Sequence, residues 1–269
     1  MPQKKATSAN ISKRMDTPTK VLITQPRPDG IKSPYFDLAL KFGLTLDFQP
    51  FISVEPVPSK DFRKQKIEIQ TYSAVIFTSK NAIDHFFRIC DEMKITIAQD
   101  TKYFCITEAV ALYLQKFILY RKRKVFFGSQ GNNKGLLDIM NRHKSNERFL
   151  YPCSESFDSD ITNWLKKNEC EFATPVVYKV ISKDVKSVID KKYDIICFFT
   201  PGGVKSLLEN FPNYKQNKTL IATFGENTSK IAEEVGLDLF IKAPKPNQPS
   251  MVSALENYFS SKKSKKTTK

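Results

Sequence analysis

The chain has 269 residues, of which 41% are hydrophobic and 26% are charged, and this composition is typical of a globular protein. Its formal net charge of +15 favours an anionic partner. No apolar run approaches the roughly 20 residues that span a bilayer, and no apolar signal-peptide core precedes residue 20. The five cysteines are scattered without a C-x-x-C spacing. We therefore expect a cytoplasmic protein with reduced thiols.

The two ends of the chain are polar and rich in lysine. Residues 260–269 alone contain five lysines. Segments of this composition bury too little apolar surface to fold. We therefore expect disordered tails at residues 1–19 and 260–269.

The first βα unit lies between residues 20 and 43. "KVLITQP" (20–26) is typical of a strand, and residues 33–43 are typical of a helix that Ser33 caps and Gly43 ends. Residues 44–58 alternate and then become rich in proline, which favours an extended connector over a packed strand.

Further strands and helices then alternate along the chain. Strands are predicted near 74–78, 103–106, 124–127, 148–151, 194–199, 219–224 and 238–241. Helices are predicted near 80–90, 108–117, 133–142, 157–167, 203–210, 227–235 and 250–259. A second extended stretch, residues 169–182, interrupts the series.

This alternation predicts an α/β protein with parallel sheets. One unit precedes the first extended stretch, four lie between the two stretches, and three follow. We therefore expect two parallel-sheet domains, one of them discontinuous, joined by a two-stranded extended connector. The first predicted domain comprises residues 20–47 and 180–259, and the second comprises residues 48–179 with the connectors.

Two stretches share one plan, "YSAVIFTSKNAIDHFF" (72–87) and "YDIICFFTPGGVKSLL" (193–208). In each, an apolar strand ends at a hydroxyl residue, Ser79 or Thr200, which is placed to cap the following helix. Gly202 and Gly203 allow close approach of the backbone. The free N–H groups of such a turn can bind an anion, although every βα turn needs a cap, and both interpretations stay open.

The residues needed for several kinds of chemistry are missing. His85 and His143 are the only histidines, neither has a metal-ligand spacing, and His85 is assigned to a helix surface. The chain has no G-x-G-x-x-G, G-x-x-x-x-G-K-[ST] or G-x-S-x-G motif. "GSQGNNKG" (128–135) matches no dinucleotide fingerprint but could still cradle an anion. A reaction without cofactor or metal, or binding alone, remains.

Five short motifs in order resemble those of the uroporphyrinogen-III synthase family. They are "VIFTSKNAIDHFF", "FLYPCSESFDSDITNWLKKNECEFATPVVYKV", "CFFTPGGVKSLL", "LIATFGENTSKIAEEVGL" and "KPNQPSMVSALENYF". The likeness extends from about residue 20 to residue 259.

This resemblance implies a fold and a reaction. The fold is two α/β domains with the active site in the cleft between them. The reaction is a cofactor-free lyase reaction in which hydroxymethylbilane loses its terminal hydroxyl, its last pyrrole is inverted through a spiro intermediate, and the ring closes as the III isomer. The implied partners are this polycarboxylate substrate and, transiently, hydroxymethylbilane synthase. A monomer is expected, and neither a membrane nor nucleic acid is an expected partner.

The resemblance also implies site residues. Tyr178 matches the family tyrosine proposed to assist departure of the hydroxyl, or else packs on the connector. Thr228 either touches the substrate or caps its helix. The turns are expected to bind substrate carboxylates, mainly through backbone N–H groups, at Ser79, Lys80, Asn81, Pro152, Cys153, Ser154, Thr200, Pro201, Gly202, Gly203, Gly225 and Thr228.

Some residues depart from the family pattern. Gln25 stands where an arginine is common, Thr107 and Val110 form a degraded first-half turn, and Glu108 would repel a carboxylate. Two alternatives therefore stay open. One is a non-catalytic homologue that binds a tetrapyrrole or another polyanion, and the other is a nucleic-acid-binding protein that uses its lysine tails.

Overall fold

The structure, a computed structural model, describes residues 19–30, 32–128, 131–155, 159–189 and 192–267. The N-terminal tail predicted at residues 1–19 therefore lies outside the described residues except for Thr19. Within the described ranges the strands are β1 (Thr19–Ile23), β2 (Leu44–Phe48), β3 (Ile52–Pro56), β4 (Ala74–Phe77), β5 (Lys102–Cys105), β6 (Val125–Phe127), β7 (Phe149–Leu150), β8 (Cys153–Ser154), β9 (Phe172–Ala173), β10 (Val176–Ser182), β11 (Ile195–Phe198), β12 (Leu220–Phe224) and β13 (Leu239–Ala243).

Helices follow most of these strands. In the same ranges they are α1 (Pro34–Phe42), α2 (Ser59–Arg63), α3 (Lys80–Glu92), α4 (Glu108–Tyr113), α5 (Asn133–Met140), α6 (Ser159–Lys167), α7 (Lys186–Ile189), α8 (Pro201–Asn210), α9 (Glu226–Glu234) and α10 (Met251–Thr267), with short 3-10 turns at Ile69–Thr71 and Leu114–Lys116. The predicted α/β class with parallel sheets is confirmed. None of the described helices is long and apolar enough to cross a membrane.

The chain divides into two compact units. The first comprises the residues up to Ser53 and those from Ser182 onward, and the second comprises Val54–Ile181. The chain thus passes between the units within β3 and within β10. In a three-stranded sheet, β10 lies between β3 and β8.

The first unit contains a parallel sheet with the order β13-β12-β11-β1-β2. Val21 in β1 pairs with Ile195 on one side and Leu46 on the other. Val21, Leu22 and Ile23 are fully buried, as expected for a central strand with helices on both faces. From β1 the chain proceeds to β2 on one side and later to β11 on the other, so the strand order reverses between β1 and β11.

The second unit contains a parallel sheet with the order β6-β5-β4-β7-β9. Its central strand β4 has Ala74, Val75, Ile76 and Phe77 all buried. From β4 the chain proceeds through β5 to β6, and then returns to β7 on the other side of β4. The strand order therefore reverses between β4 and β7.

The prediction that residues 44–58 lack a packed strand is wrong for β2. This strand pairs in parallel with β1, and Leu44, Leu46 and Phe48 pack against the core while Thr45 is exposed. The alternating pattern reflects an edge strand with one apolar face rather than a connector.

The lysine-rich end is helical as far as Thr267, where disorder was expected from residue 260 onward. Leu255 and Phe259 are buried and anchor the first turns of α10. Lysine is a good helix former, so the helix continues past its anchored part. Residues 268 and 269 lie outside the described part of the chain.

Helix α1 offers a direct test of the first unit's core. Leu38 is 3% exposed and belongs to the core, whereas Leu40 on the same helix is 85% exposed. We expect Leu38→Ala to lower the free energy of unfolding by about 2–5 kcal/mol, because it leaves a cavity. Leu40→Ala should change it by no more than about 0.5 kcal/mol. Urea unfolding of both variants measures the difference, and equal effects would contradict this packing.

Candidate functional site

Each parallel sheet has one place where its topology favours a ligand. In open α/β sheets, ligands bind beyond the carboxyl ends of the strands, where the strand order reverses. In the second unit this place lies after β4 and β7, and in the first unit it lies after β1 and β11. The predicted site residues follow these strands or their neighbours.

In the second unit, Tyr178 is hydrogen-bonded to two predicted site residues. Its hydroxyl bonds with the side chains of Ser79 and Ser154. Ser154 is the residue paired with Tyr178 across β8 and β10, and Ser79 caps helix α3 by accepting a hydrogen bond from the Ala82 N–H at 3.1 Å. The structure therefore brings Ser79, Ser154 and Tyr178 together.

The environment of Tyr178 keeps its phenol protonated. Burial raises the pKa of Tyr178 above its ordinary value, and the bonds from Ser79 and Ser154 oppose this rise only in part. The Ser79 oxygen already accepts the Ala82 N–H, so its own O–H is available to the phenol oxygen. With the serines donating, the phenol O–H is left for another acceptor.

His85 is a neighbour of Tyr178 that the sequence analysis missed. Its imidazole stacks on the Tyr178 ring with centroids 5.5 Å apart and planes at 25°. Its Nδ1 is buried without a hydrogen-bond partner among the described residues. Burial lowers the pKa of His85, the charge of Arg88 lowers it further, and Asp84 partly opposes the shift. The imidazole is therefore neutral at pH 7.

Lys80 and Asn81 lie at the exposed start of α3. The Lys80 ammonium lies 5.2 Å from the centroid of the Tyr113 ring, and the Tyr113 hydroxyl donates to the Asp84 carboxylate at 2.9 Å. The predicted positive charge is thus present at this turn, in contact with an aromatic face.

The predicted site residues after β7 are buried and already paired. Pro152 has no N–H, and the Cys153 N–H donates to the Pro175 carbonyl at 3.0 Å. Pro152, Cys153 and Ser154 are all buried, and burial raises the pKa of the Cys153 thiol to about 12. The thiol is therefore protonated and unreactive at neutral pH. The neighbouring Tyr151 hydroxyl lies 3.5 Å from Thr78 Oγ1 at the end of β4, which links the two strands at the reversal point.

Two further turns follow β5 and β6. Thr107 caps α4 by accepting from the Val110 N–H at 3.2 Å, and Asn132 caps α5 by accepting from the Gly135 N–H at 3.0 Å. Glu108 is exposed in the first turn of α4. In the "GSQGNNKG" stretch, residues 129 and 130 lie outside the described residues.

In the first unit, Thr200, Pro201, Gly202 and Gly203 form the start of α8. Thr200 Oγ1 accepts a hydrogen bond from the Gly203 N–H at 3.1 Å, and Pro201 occupies the first turn. A Cβ at Gly203 would lie 3.4 Å from Thr200 Oγ1. Thr200 therefore caps α8 as the sequence predicts.

Gly225 and Thr228 lie in the turn after β12, next to β11. Gly225 has φ 94° and precedes α9 without a side-chain cap bond. Thr228 is 3% exposed, and a Cβ at Gly225 would lie 3.7 Å from its Oγ1. The suggestion that Thr228 caps this helix is therefore wrong, since Gly225 occupies the cap position.

The carboxyl end of β1 contributes a residue that the sequence analysis did not select. Thr24 follows β1, is 7% exposed, and donates from Oγ1 to the Cys197 carbonyl in β11 at 2.8 Å. It thus joins the two strands at the reversal point. Beyond it, the Arg27 guanidinium lies 5.3 Å from the centroid of the Phe36 ring. The only signal for Thr24 in the sequence is its position directly after a strand.

Metal-ligating side chains are not grouped in the described part of the chain, where no three or more His, Cys, Asp or Glu residues could hold one ion. The chemistry that these turns can perform is binding of anions by backbone N–H groups, hydroxyls and Lys80, together with hydrogen-bond donation from a protonated phenol.

Solved structures have a similar fold. A mutant uroporphyrinogen III synthase from Thermus thermophilus is similar with a TM-score of 0.64 and 15% identity, over 91% of this chain and 99% of that chain. Uroporphyrinogen-III synthetase from Helicobacter pylori is similar with a TM-score of 0.56 and 18% identity, over 90% of this chain and 99% of that chain. At these identities the likeness shows the fold.

Sequence comparison identifies the family. No curated protein matches the chain. The family model of uroporphyrinogen-III synthase HemD matches residues 35–253, which is most of the sequence. The chain therefore belongs to the uroporphyrinogen-III synthase family.

Proposed function

We propose that this protein is a uroporphyrinogen-III synthase, which cyclises hydroxymethylbilane to uroporphyrinogen III with inversion of the terminal pyrrole and loss of water. In this proposal it is a cofactor-independent lyase of the cytoplasm and acts as a monomer on substrate released by hydroxymethylbilane synthase. The observation that carries the proposal is the protonated Tyr178 phenol, held by Ser79 and Ser154 beyond the sheet of the second unit, in a chain of this family.

The first requirement of the reaction is binding of a flexible polycarboxylate. Helix starts at Ser79 and Thr200 offer N–H groups to carboxylates, and Lys80 adds a positive charge at the first of them. Such donors depend on the backbone and need no particular side chain. We infer that these two turns position the substrate carboxylates, because Pro152 has no N–H and the Gly225 N–H already donates to the Ala243 carbonyl at 2.7 Å.

The second requirement is departure of the terminal hydroxyl. A protonated phenol can donate a proton to the departing oxygen, which leaves as water when the C–O bond breaks, and the proton that the terminal pyrrole loses on ring closure restores the phenol. In our proposal Tyr178 has this role, with Ser79 and Ser154 donating to its oxygen so that its own O–H donates to the substrate. The remaining electrophilic methylene is then attacked within a substrate whose conformation the enzyme has fixed.

The binding-only alternative is not favoured. Tyr178, its two serine partners and the Thr200 and Gly225 turns are present, and the family model spans most of the chain. Glu108 remains unfavourable for a carboxylate at the α4 turn, so we assign the anionic substrate to the other turns.

The isomer composition of the product tests the function. Hydroxymethylbilane should be supplied freshly by its synthase, and the oxidised porphyrins separated by chromatography. We expect predominantly the III isomer, because the enzyme-bound substrate undergoes inversion before closure. Formation of the I isomer alone, at the rate seen without this protein, would refute the proposal.

The substitution Tyr178→Phe tests the role of the phenol. We expect turnover to fall severalfold or more, because the hydrogen bond to the departing hydroxyl is lost while the ring and its packing remain. The matched control is Tyr258→Phe, which removes a phenol from α10 in the first unit. Initial rates of uroporphyrinogen III formation give the comparison, and circular dichroism confirms that both variants are folded. Unchanged turnover in folded Tyr178→Phe would remove this residue from the mechanism.

The neutral imidazole beside Tyr178 predicts a pH dependence of stability. Above the ordinary histidine pKa of about 6.5, His85 is neutral in both folded and unfolded chains. As the pH falls below that value the unfolded chain binds the proton first, because the folded pKa is lowered, and stability is lost.

His85→Phe retains a ring on Tyr178 and removes this titration. We expect the free energy of unfolding to fall less in the variant than in the wild type between about pH 7.5 and pH 5.5. Urea unfolding at the two pH values provides the measurement. The carboxylates are common to both proteins, so identical losses would show that His85 does not contribute.

A further inference from the structure

The second unit contains a cavity outside its candidate site. The cavity has a volume of about 480 Å³ and lies where α3 ends and where β5 and β6 begin. None of the predicted site residues lines it. Since the strands are parallel, it opens at the amino edge of the sheet, opposite the carboxyl edge where Ser79 and Thr107 lie. We call it the amino-edge pocket, and its volume is in the range of small-molecule sites.

The walls of the amino-edge pocket are largely apolar. Phe87, Ile95, Ile97, Phe117 and Leu119 are among the lining residues. The Phe87 and Phe117 rings stack with centroids 4.8 Å apart and planes at 7°, which gives one wall a fixed shape. Leu119 is 77% exposed. A large apolar side chain exposed at the mouth of a pocket leaves apolar surface available to a ligand.

The same pocket has a cationic side. Residues 121–124 read Arg-Lys-Arg-Lys, and the first and last of them line the cavity. The Lys124 ammonium donates to the Gln99 carbonyl. The Arg121 guanidinium, which is half-buried, makes no hydrogen bond or ion pair with any described residue. Asp91 is the single acidic side chain among the described lining residues, so the cations there outnumber the anion.

We propose that the amino-edge pocket binds an amphipathic anion, a small molecule with an apolar chain and one carboxylate or phosphate head. The chain packs between Ile97 and Phe117, and the head accepts hydrogen bonds from Arg121. A purely apolar ligand would leave the guanidinium unpaired, and a free inorganic anion would leave the apolar walls in water. The combination of the two surfaces therefore selects a ligand that has both parts.

The chain supplies a matched pair of variants for this test. Arg121 lines the pocket, while Arg123 belongs to the same basic run, is exposed, and does not line it. Arg121→Gln and Arg123→Gln remove the same charge by the same substitution. Neither residue belongs to the candidate active site, so both variants should form uroporphyrinogen III like the wild type.

The experiment is isothermal titration of the full-length protein with decanoate below its micelle concentration. We expect saturable binding at one site, a loss of about tenfold in affinity for Arg121→Gln, and less than about twofold for Arg123→Gln, because only the first removes a charged hydrogen bond to the ligand. Methyl decanoate, which has the same chain without the charge, should bind the wild type about tenfold more weakly for the same reason.

Several results would overturn the proposal. These are the absence of saturable decanoate binding, equal losses for the two arginine variants, and equal binding of decanoate and its methyl ester. Inorganic phosphate that binds as tightly as decanoate would show that the apolar walls are not used. Binding to phosphatidylglycerol vesicles without binding to monomeric decanoate would assign the surface to a membrane instead.

Discussion

The reversal of strand order in each parallel sheet is the constraint on which the candidate site depends. Parallel strands need crossover helices, and these helices cover both faces of the sheet, so strands such as Ala74–Phe77 are buried throughout. Only the sheet edges are left for function. Where crossovers leave in opposite directions, after β4 and β7 or after β1 and β11, the topology favours a ligand beyond the carboxyl edge. The same topology therefore explains the core and the position of the turns predicted to bind anions.

A side chain beyond the carboxyl edge keeps one orientation only when its neighbours hold it. Tyr178 is fixed in three ways, by strand pairing with Ser154, by hydrogen bonds with Ser79 and Ser154, and by the His85 ring. Burial and hydrogen bonding act on its pKa in opposite directions, and burial is the larger effect. This balance suits a donor that must remain protonated at neutral pH yet stay polarised by its partners. It also explains how a sequence whose two histidines lack a metal-ligand spacing can hold a protonated hydrogen-bond donor in place.

The sequence was sufficient for features set by local chemistry. Ser79 and Thr200 cap their helices as predicted, because a cap depends on the next three residues alone. The β2 strand was missed, since Leu-Thr-Leu-Asp-Phe (44–48) fits a connector until β1 is known to lie beside it. The contact of His85 with Tyr178 was missed for the same reason. It joins residues distant in sequence, and the apolar pattern of α3 assigns His85 only to a partly exposed face.

The two edges of the second unit's sheet differ in whether their polar groups are paired and in whether large apolar side chains are exposed. At the carboxyl edge, polar groups bond with one another, as in the set of Ser79, Ser154 and Tyr178. At the amino edge, Arg121 lacks a described partner and Leu119 is exposed. A protein gains no stability from an unpaired half-buried cation beside exposed apolar side chains. Helix α3 runs between the two edges, with Ser79 capping its start beside Tyr178 and Phe87 lining the pocket near its end.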